Sequence, residues 1–204
     1  GVPAEVVSSC GPYTWPTTGI TYPASGIYTS NGITQGYNSQ TPYLNNVTGH
    51  NSTIATNSLG GLPNTNPIPL TVGSTSVSMG ATGGMYTTAS FVGTNIATDA
   101  LTITLGPGVY GFAANIYATD IADAVTAGDI TVTYSTGFVD ARTVASDTEF
   151  FGYTSTTPIT SVTITCANTV APFKWPTIKN LSLATGPNAT LDLTVTTSPI
   201  TGNY

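Results

Sequence analysis

Hydrophobic and polar residues alternate along most of the chain from residue 68 onward. In the segment 129–136, Ile130, Val132 and Tyr134 take every second position and threonines stand between them. Because successive side chains of a β-strand point to opposite faces, this period of two predicts a strand with one buried face. About nine segments share the pattern, with Gly, Pro, Asn or Asp between them. They are 68–79, 85–93, 100–106, 108–119, 129–136, 148–155, 159–167, 177–184 and 189–197.

The spacing of these segments predicts the fold class. The strands follow one another at short intervals, and no helical stretch longer than a turn or two separates them, which is typical of an all-β protein. We therefore expect a two-sheet antiparallel β-sandwich, jelly-roll-like, over residues 68–204. One segment, 119–128, fits either a short helix capped by Thr119 or Asp120 or an ordinary loop between strands.

The first 67 residues differ from the rest in composition. Gly, Pro, Asn, Ser and Thr dominate residues 1–67 and aliphatic residues are sparse, yet the region keeps several tyrosines and Trp15. Disordered tails usually lack aromatic residues and carry a high net charge, so this region does not have their profile. We expect an extended N-terminal arm that lies on another surface.

The chain carries very few charged residues. Only 6 % of its 204 residues are charged, the formal net charge is -6, and its three cations are Arg142, Lys174 and Lys179. So few cations on an acidic chain cannot neutralise a phosphate backbone or attach to an anionic membrane surface. We therefore expect no nucleic-acid partner, and no apolar run is long enough to predict a membrane span.

The start of the sequence bears on processing, and in an exported protein the even number of cysteines predicts a disulfide. The chain begins at Gly1 without a signal-peptide pattern, so we expect a mature, processed product that is extracellular or on the cell surface. Two cysteines are present, Cys10 and Cys166. They are predicted to form a disulfide that joins the arm to a late strand, the alternative being two buried thiols that never meet.

Catalytic chemistry finds little support in the sequence. His50 is the single histidine, and it lies in a polar loop with no nucleophile motif. Asp147 and Glu149 are the nearest thing to a carboxylate pair, but in a strand they would share one solvated edge rather than flank a glycosidic bond. We predict that the protein is not an enzyme.

Two further kinds of site have candidates. Asp120, Asp123 and Asp129 lie close in sequence and are candidate ligands for a structural calcium ion, although their spacing matches no EF-hand loop; no other cofactor is expected. Four N-x-S/T sequons are candidate glycosylation sites, but a chain so rich in Ser, Thr and Asn contains about that many by chance. Their asparagines are Asn46, Asn51, Asn180 and Asn188.

Residues 100–167 contain a recognisable series of motifs. They read "LTITLGPGVYGFAANIYATD", "GDITVTYSTG" and "TEFFGYTSTTPITSVTITC". This series resembles secreted bacterial β-sandwich domains of the PEP-CTERM-associated type, which are often followed by a sorting tail that this sequence does not show. The resemblance implies an extracellular jelly-roll-like domain, and it implies no catalytic residues.

Two functional hypotheses from different classes fit these patterns. A nearly uncharged surface removes the repulsion between copies, which favours an extracellular structural subunit that self-assembles into a filament, sheath or surface layer through its arm or its C-terminal strand. The alternative is a carbohydrate-binding module whose exposed aromatic rings stack on sugars. The expected partners are accordingly copies of the chain itself, or covalent or bound glycan. Candidate interface or glycan-stacking residues are Trp15, Tyr22, Tyr28, Tyr37 and Trp175.

Overall fold

A computed structural model of the chain describes residues 6–8, 13–14, 21–22, 26–30, 34–49, 52–168, 171–186 and 191–196. For 6–8, 13–14, 21–22, 26–30 and 191–196 it describes the backbone alone. The elements are β1 (Val6–Ser8), β2 (Tyr13–Thr14), β3 (Thr21–Tyr22), β4 (Gly26–Ser30), β5 (Gln35–Tyr37), α1 (Gln40–Gly49), β6 (Thr53–Asn57), β7 (Ile68–Val72), β8 (Thr75–Gly80), β9 (Met85–Thr87), β10 (Val92–Thr94), β11 (Leu101–Leu105), β12 (Val109–Thr119), β13 (Val125–Thr126), β14 (Gly128–Tyr134), β15 (Val139–Val144), β16 (Phe150–Thr154), β17 (Ser161–Cys166), β18 (Trp175–Thr185) and β19 (Leu191–Thr196).

Two antiparallel sheets enclose one hydrophobic core, which confirms the predicted all-β sandwich. The larger sheet has the order β5-β16-β12-β18-β10-β9, with β13 paired to β12 and β6 paired to β18. The smaller sheet has the order β15-β14-β17-β11-β8-β7. Within the described part of the chain, no helix is long and apolar enough to cross a bilayer.

The strands of the smaller sheet follow the alternation in the sequence. In β14, Ile130 and Val132 are buried while Asp129 and Thr133 are exposed. Burying a branched aliphatic side chain of this size stabilises the fold by about 1.5–3 kcal/mol. The outward positions are filled largely by threonine, which favours strands and keeps the surface polar without charge.

The two longest strands lie at the centre of the larger sheet and are buried on both faces. β12 and β18 each span 11 residues and pair with one another along their length. Phe112 and Ile116 of β12 enter the core between the sheets, whereas Ala113 belongs to a second cluster on the outer face. Alternation is therefore weak in these strands, because both of their faces are covered.

Residues 34–49 and 52–57, which lie in the predicted extended arm, form β5, α1 and β6, and both strands join the larger sheet. β5 pairs with β16 and β6 pairs with β18. Tyr43 and Val47, four residues apart on one face of α1, pack on Ala113 and Ala184 of the sheet. The helix covers the outer face of the sheet and so belongs to the sandwich.

The C-terminal strand β19 lies between two strands of the same chain. It pairs with β1 in parallel and with β4 in antiparallel orientation, and β2 pairs separately with β3. Both hydrogen-bonding edges of β19 are therefore occupied within the chain.

The predicted disulfide falls partly outside the described residues. Cys166 is buried at the end of β17, its burial raises the pKa of its thiol, and no described residue is bonded to its sulfur. Cys10 lies outside the described residues, so the Cys10–Cys166 bridge stays a prediction.

A cluster of aromatic rings fills one end of the core. The ring centroid of Tyr153 lies 4.4 Å from that of Tyr134 and 4.5 Å from that of Phe138, on which it stacks. The Tyr153 hydroxyl forms a hydrogen bond of 2.8 Å with the Thr136 hydroxyl. The Tyr134 hydroxyl is buried without a partner among the described residues, and its burial raises the pKa of the phenol.

This contrast predicts opposite effects of removing the two hydroxyls. Tyr134→Phe should leave the free energy of unfolding unchanged or raise it by up to about 1 kcal/mol, because it deletes an unpaired buried polar atom. Tyr153→Phe should lower it by about 1 kcal/mol, because it breaks a hydrogen bond. Chemical denaturation of the two variants measures both values, and a larger loss for Tyr134→Phe would contradict the packing described for this cluster.

Candidate functional site

A cleft opens at one end of the larger sheet, where β9, β10, β18 and β12 lie side by side. Its volume is about 210 Å³. Aromatic rings, carboxylates, amides and hydroxyls share its walls, a mixture typical of small-molecule sites. The lining side chains are Tyr86, Phe91, Thr94, Asn95, Thr119, Asp120, Ile121, Asp123, Trp175 and Thr177.

The strand register brings these residues together from distant parts of the chain. Thr119, the last residue of β12, pairs with Trp175, the first residue of β18. Gly93 of β10 pairs with Thr177 on one side and with Tyr86 on the other. A Cβ atom at Gly93 would lie 3.4 Å from the Thr177 hydroxyl oxygen. The absence of a side chain at Gly93 therefore keeps the floor of the cleft open.

The aromatic side chains are held in fixed orientations. The indole Nε1–H of Trp175 donates to the backbone carbonyl of Asn95 at 3.2 Å. The ring centroid of Phe91 lies 6.3 Å from that of Tyr86 and 6.2 Å from that of Tyr117, in tilted and edge-to-face arrangements. Such pairs are favourable geometries for aromatic rings. The cleft thus presents ordered ring surfaces to solvent.

The loop between β12 and β13 carries two carboxylates into the cleft. Asp120 Oδ1 accepts hydrogen bonds from the backbone N–H groups of Ala122 and Ala124 at 2.8 and 3.0 Å. Asp123 takes a left-handed backbone conformation with a φ of 64°, and its Oδ2 accepts a hydrogen bond of 2.8 Å from the Tyr86 hydroxyl. Asp tolerates this backbone region better than most residues. Both carboxylates are fixed in place by these contacts.

This loop decides between the two alternatives for residues 119–128 and separates two of the candidate calcium ligands from the third. Of the two alternatives for residues 119–128, a short helix or a loop between strands, the structure has a loop with the short strand β13, and the Asp120 side chain closes its turn by accepting from Ala122 and Ala124. Asp129 lies on β14, where its Oδ1 accepts a hydrogen bond from Thr143. The described residues contain no group of three His, Cys, Asp or Glu side chains that could hold a metal ion, so Asp120, Asp123 and Asp129 do not form the expected calcium site.

Large apolar side chains lie exposed in the loops at this end of the larger sheet. Ile121, which lines the cleft, is 83 % exposed. Ile96 and Phe173, close in sequence to the lining residues Asn95 and Trp175, are each 47 % exposed. Ile121 therefore adds exposed apolar surface to the wall of the cleft.

One asparagine joins two of the loops around the cleft. The Asn168 Nδ2 group donates to the carbonyl oxygens of Ala97 and Lys174, both at 2.6 Å. Its Oδ1 accepts from the backbone N–H of Lys174 at 2.8 Å. Asn168 therefore fixes the backbone directly before Trp175.

Trp175 is the aromatic candidate from the sequence that lies in the cleft. Tyr37 is only 7 % exposed, and its ring centroid lies 5.7 Å from that of Tyr43 beneath α1, so Tyr37 is not available for stacking at the surface. Tyr22 and Tyr28 lie in β3 and β4, where the backbone alone is described. Trp15 lies outside the described residues.

Two of the four candidate glycosylation sites lie in the described part of the chain. Asn46 lies on α1. Asn180 lies at an irregularity of β18 with a φ of 54°, and its Nδ2 donates to Asn115 Oδ1 at 2.9 Å. Asn51 and Asn188 lie outside the described residues.

Two of the weak catalytic candidates, Asp147 and Glu149, lie away from the cleft. Asp147 forms an ion pair with Lys179, and neither it nor Glu149 lines the cleft. His50 lies outside the described residues.

Sequence reasoning missed Tyr86, Phe91 and Asn95. All three fall in or beside segments whose alternation indicates ordinary strands, and only their register with β18 reveals the shared site. The sequence signal for this site is that two aromatic residues, Tyr86 and Phe91, flank a short, mostly polar segment. Core strands often show the same pattern.

The hydrogen bond between Tyr86 and Asp123 predicts a measurable change in the ionisation of Tyr86. The bond and the negative charge of Asp123 both favour the neutral phenol, so they raise the pKa of Tyr86 above its ordinary value. Asp123→Ala removes both effects and should lower that pKa. An NMR pH titration of the Tyr86 ring carbon measures the change, with Asp99→Asn as the control. An unchanged Tyr86 pKa in Asp123→Ala would contradict the contact.

No protein-family model matches the chain, and no curated protein matches it at a significant level. Among solved structures, the chain is similar to the CBM22-1 xylan-binding domain of Xyn10C from Paenibacillus barcinonensis. The identity is 15 %, the TM-score is 0.33, and the likeness covers 66 % of this chain and 96 % of that domain. A likeness of this degree carries no information about the ligand, so the interpretation of the cleft rests on its own geometry.

Proposed function

We propose that the protein is a non-catalytic carbohydrate-binding module that holds a saccharide unit in the cleft. The observation that carries this proposal is the Trp175 ring, fixed by its hydrogen bond to Asn95 and lying beside oriented carboxylate and hydroxyl groups. A sugar ring has apolar C–H faces and polar edges. The electron-rich face of an aromatic ring attracts the C–H groups, and the neighbouring polar side chains bond the hydroxyl groups.

The size of the cleft supports a single bound sugar unit. Its volume of about 210 Å³ lies below the roughly 300 Å³ at which sites for drug-sized ligands begin. The cleft is open to solvent, so a glycan chain can extend out of it in either direction. The exposed side chains of Ile121 and Phe173 offer further apolar contacts to neighbouring units.

The expected location outside the cell agrees with this function. A surface of threonines with few charges suits a secreted domain, and the resemblance of residues 100–167 to secreted bacterial β-sandwich domains favours the same location. Extracellular polysaccharide is the glycan that such a domain meets.

The geometry gives less support to a self-assembling structural subunit. Strand addition needs a free edge, and β19 has neighbours on both sides. The edge strands of the smaller sheet carry Pro69 in β7 and the ion pair of Asp140 and Arg142 in β15. Proline and charged residues are the features with which natural sheets prevent edge-to-edge pairing. Assembly into a filament, sheath or layer therefore stays a prediction from the sequence.

Replacement of the central ring tests the proposed function. Trp175→Ala should weaken binding to the polysaccharide that retains the unmodified protein, because it removes the stacking surface. The expected loss of affinity is at least about tenfold, equivalent to about 1.4 kcal/mol. Affinity electrophoresis in gels containing xylan, cellulose derivatives, chitosan or pectin measures the retention.

Val139→Ala is the matched control, since Val139 is an exposed apolar residue on β15, outside the cleft. It should bind like the unmodified protein. Equal retention of Trp175→Ala and the unmodified protein, or no retention on any glycan, would refute the proposal.

A further inference from the structure

We infer that the cleft selects a saccharide unit that carries a protonated amine over neutral or acidic units. This inference rests on the proposed function and specifies the class of sugar. It follows from the carboxylates, the aromatic rings and the positions of the cations in this structure.

The two carboxylates each keep one oxygen available for a ligand. Asp120 uses Oδ1 for the amides of its own loop, and Asp123 uses Oδ2 for the Tyr86 hydroxyl. Among the described residues nothing donates to Asp120 Oδ2 or Asp123 Oδ1. Because the bonded oxygens hold both side chains, the remaining oxygens are acceptors whose positions are set before a ligand arrives.

Among the described residues that line the cleft there is no cation to balance these charges. Arg142 pairs with Asp140, and Lys179 pairs with Asp147. Lys174 precedes Trp175 in sequence, but its Cδ lies 3.3 Å from the position that a Cβ would take at Gly128 of β14. Its side chain therefore lies against β14. Burial raises the pKa of the nearby Cys166 thiol, and the charge of Lys174 offsets part of that rise.

The rings beside the carboxylates strengthen the preference for a cation. Tyr86, Phe91 and Trp175 present aromatic surface in the same cleft. Ammonium groups are attracted to the faces of such rings, and most strongly to tryptophan. A hexosamine with a free amine combines the apolar ring face that stacks with the cation that the carboxylates attract. An N-acetylated hexosamine has the same ring without the charge, and a uronic acid would be repelled.

The direct test compares oligomers of glucosamine, N-acetylglucosamine and galacturonic acid by isothermal titration calorimetry, at mildly acidic pH and low salt so that the sugar amine is protonated. The glucosamine oligomer should bind at least about tenfold more tightly than the N-acetylated one, because two nearby carboxylates act on one charge. The galacturonic acid oligomer should bind least. Added salt should reduce the preference.

Two variants distinguish the effect of the carboxylates in the cleft from the effect of the net negative charge of the whole chain. The double variant Asp120→Asn and Asp123→Asn keeps both hydrogen-bond acceptors and removes both charges, so it should lose the preference while its affinity for the N-acetylated oligomer stays the same. The control variant, Asp99→Asn with Glu149→Gln, removes two charges outside the cleft and should keep the preference.

The outcomes distinguish this inference from the proposed function. Equal affinity for the glucosamine and N-acetylglucosamine oligomers, both lost in Trp175→Ala, would overturn the inference and leave glycan binding intact. A preference that survives in the Asp120/Asp123 variant, or that disappears equally in the control variant, would also overturn it, since the selecting charge would then lie elsewhere. Absence of binding to every oligomer would overturn both.

Discussion

The pairing of β12 with β18 is the constraint on which the rest of the structure depends. These two strands form the centre of the larger sheet, and each contributes side chains to the core on one face and to the surface beneath α1 on the other. Their register places Thr119 opposite Trp175 at the end of the pair. The cleft forms at this end of the pair, because the loop after β12 contains Asp120 and Asp123 and the first residue of β18 is Trp175.

Part of this architecture could be predicted from the sequence. Strands with one buried face, such as β11 and β14, reveal themselves by alternation, since only one of their faces meets the core. The helix α1 could not be predicted in this way. Its sequence, QTPYLNNVTG, has few apolar residues and several poor helix formers, and it folds because Tyr43 and Val47 find the outer face of the larger sheet.

The candidate site, like the fold, could be predicted from the sequence only in part. Trp175 stands out in the sequence because it lies between prolines, and Asp120 and Asp123 stand out as acidic residues close together. Their joint role is invisible without the register of four strands, because Tyr86 and Phe91 come from another part of the chain. In isolation the carboxylates suggest a metal site, whereas in the described structure their neighbours are aromatic rings and no third acidic ligand joins them.

The few charged residues of the chain have particular places in the structure. Outward positions of strands such as β11 and β14 are held mostly by threonines, which keep these surfaces polar without charge. Two of the three cations are paired with carboxylates outside the cleft. In the part of the chain that the structure describes, the charges of Asp120 and Asp123 therefore face the cleft without a lining cation.

Titration of the ¹⁵N-labelled protein with a glucosamine oligomer, followed by two-dimensional NMR, tests the central claim most directly. Our account predicts that the indole Nε1–H signal of Trp175 and the amides of residues 91–95 and 119–124 shift together, while those of α1 stay unchanged. Shifts concentrated on α1 or on the smaller sheet, with the Trp175 indole signal unmoved, would contradict it.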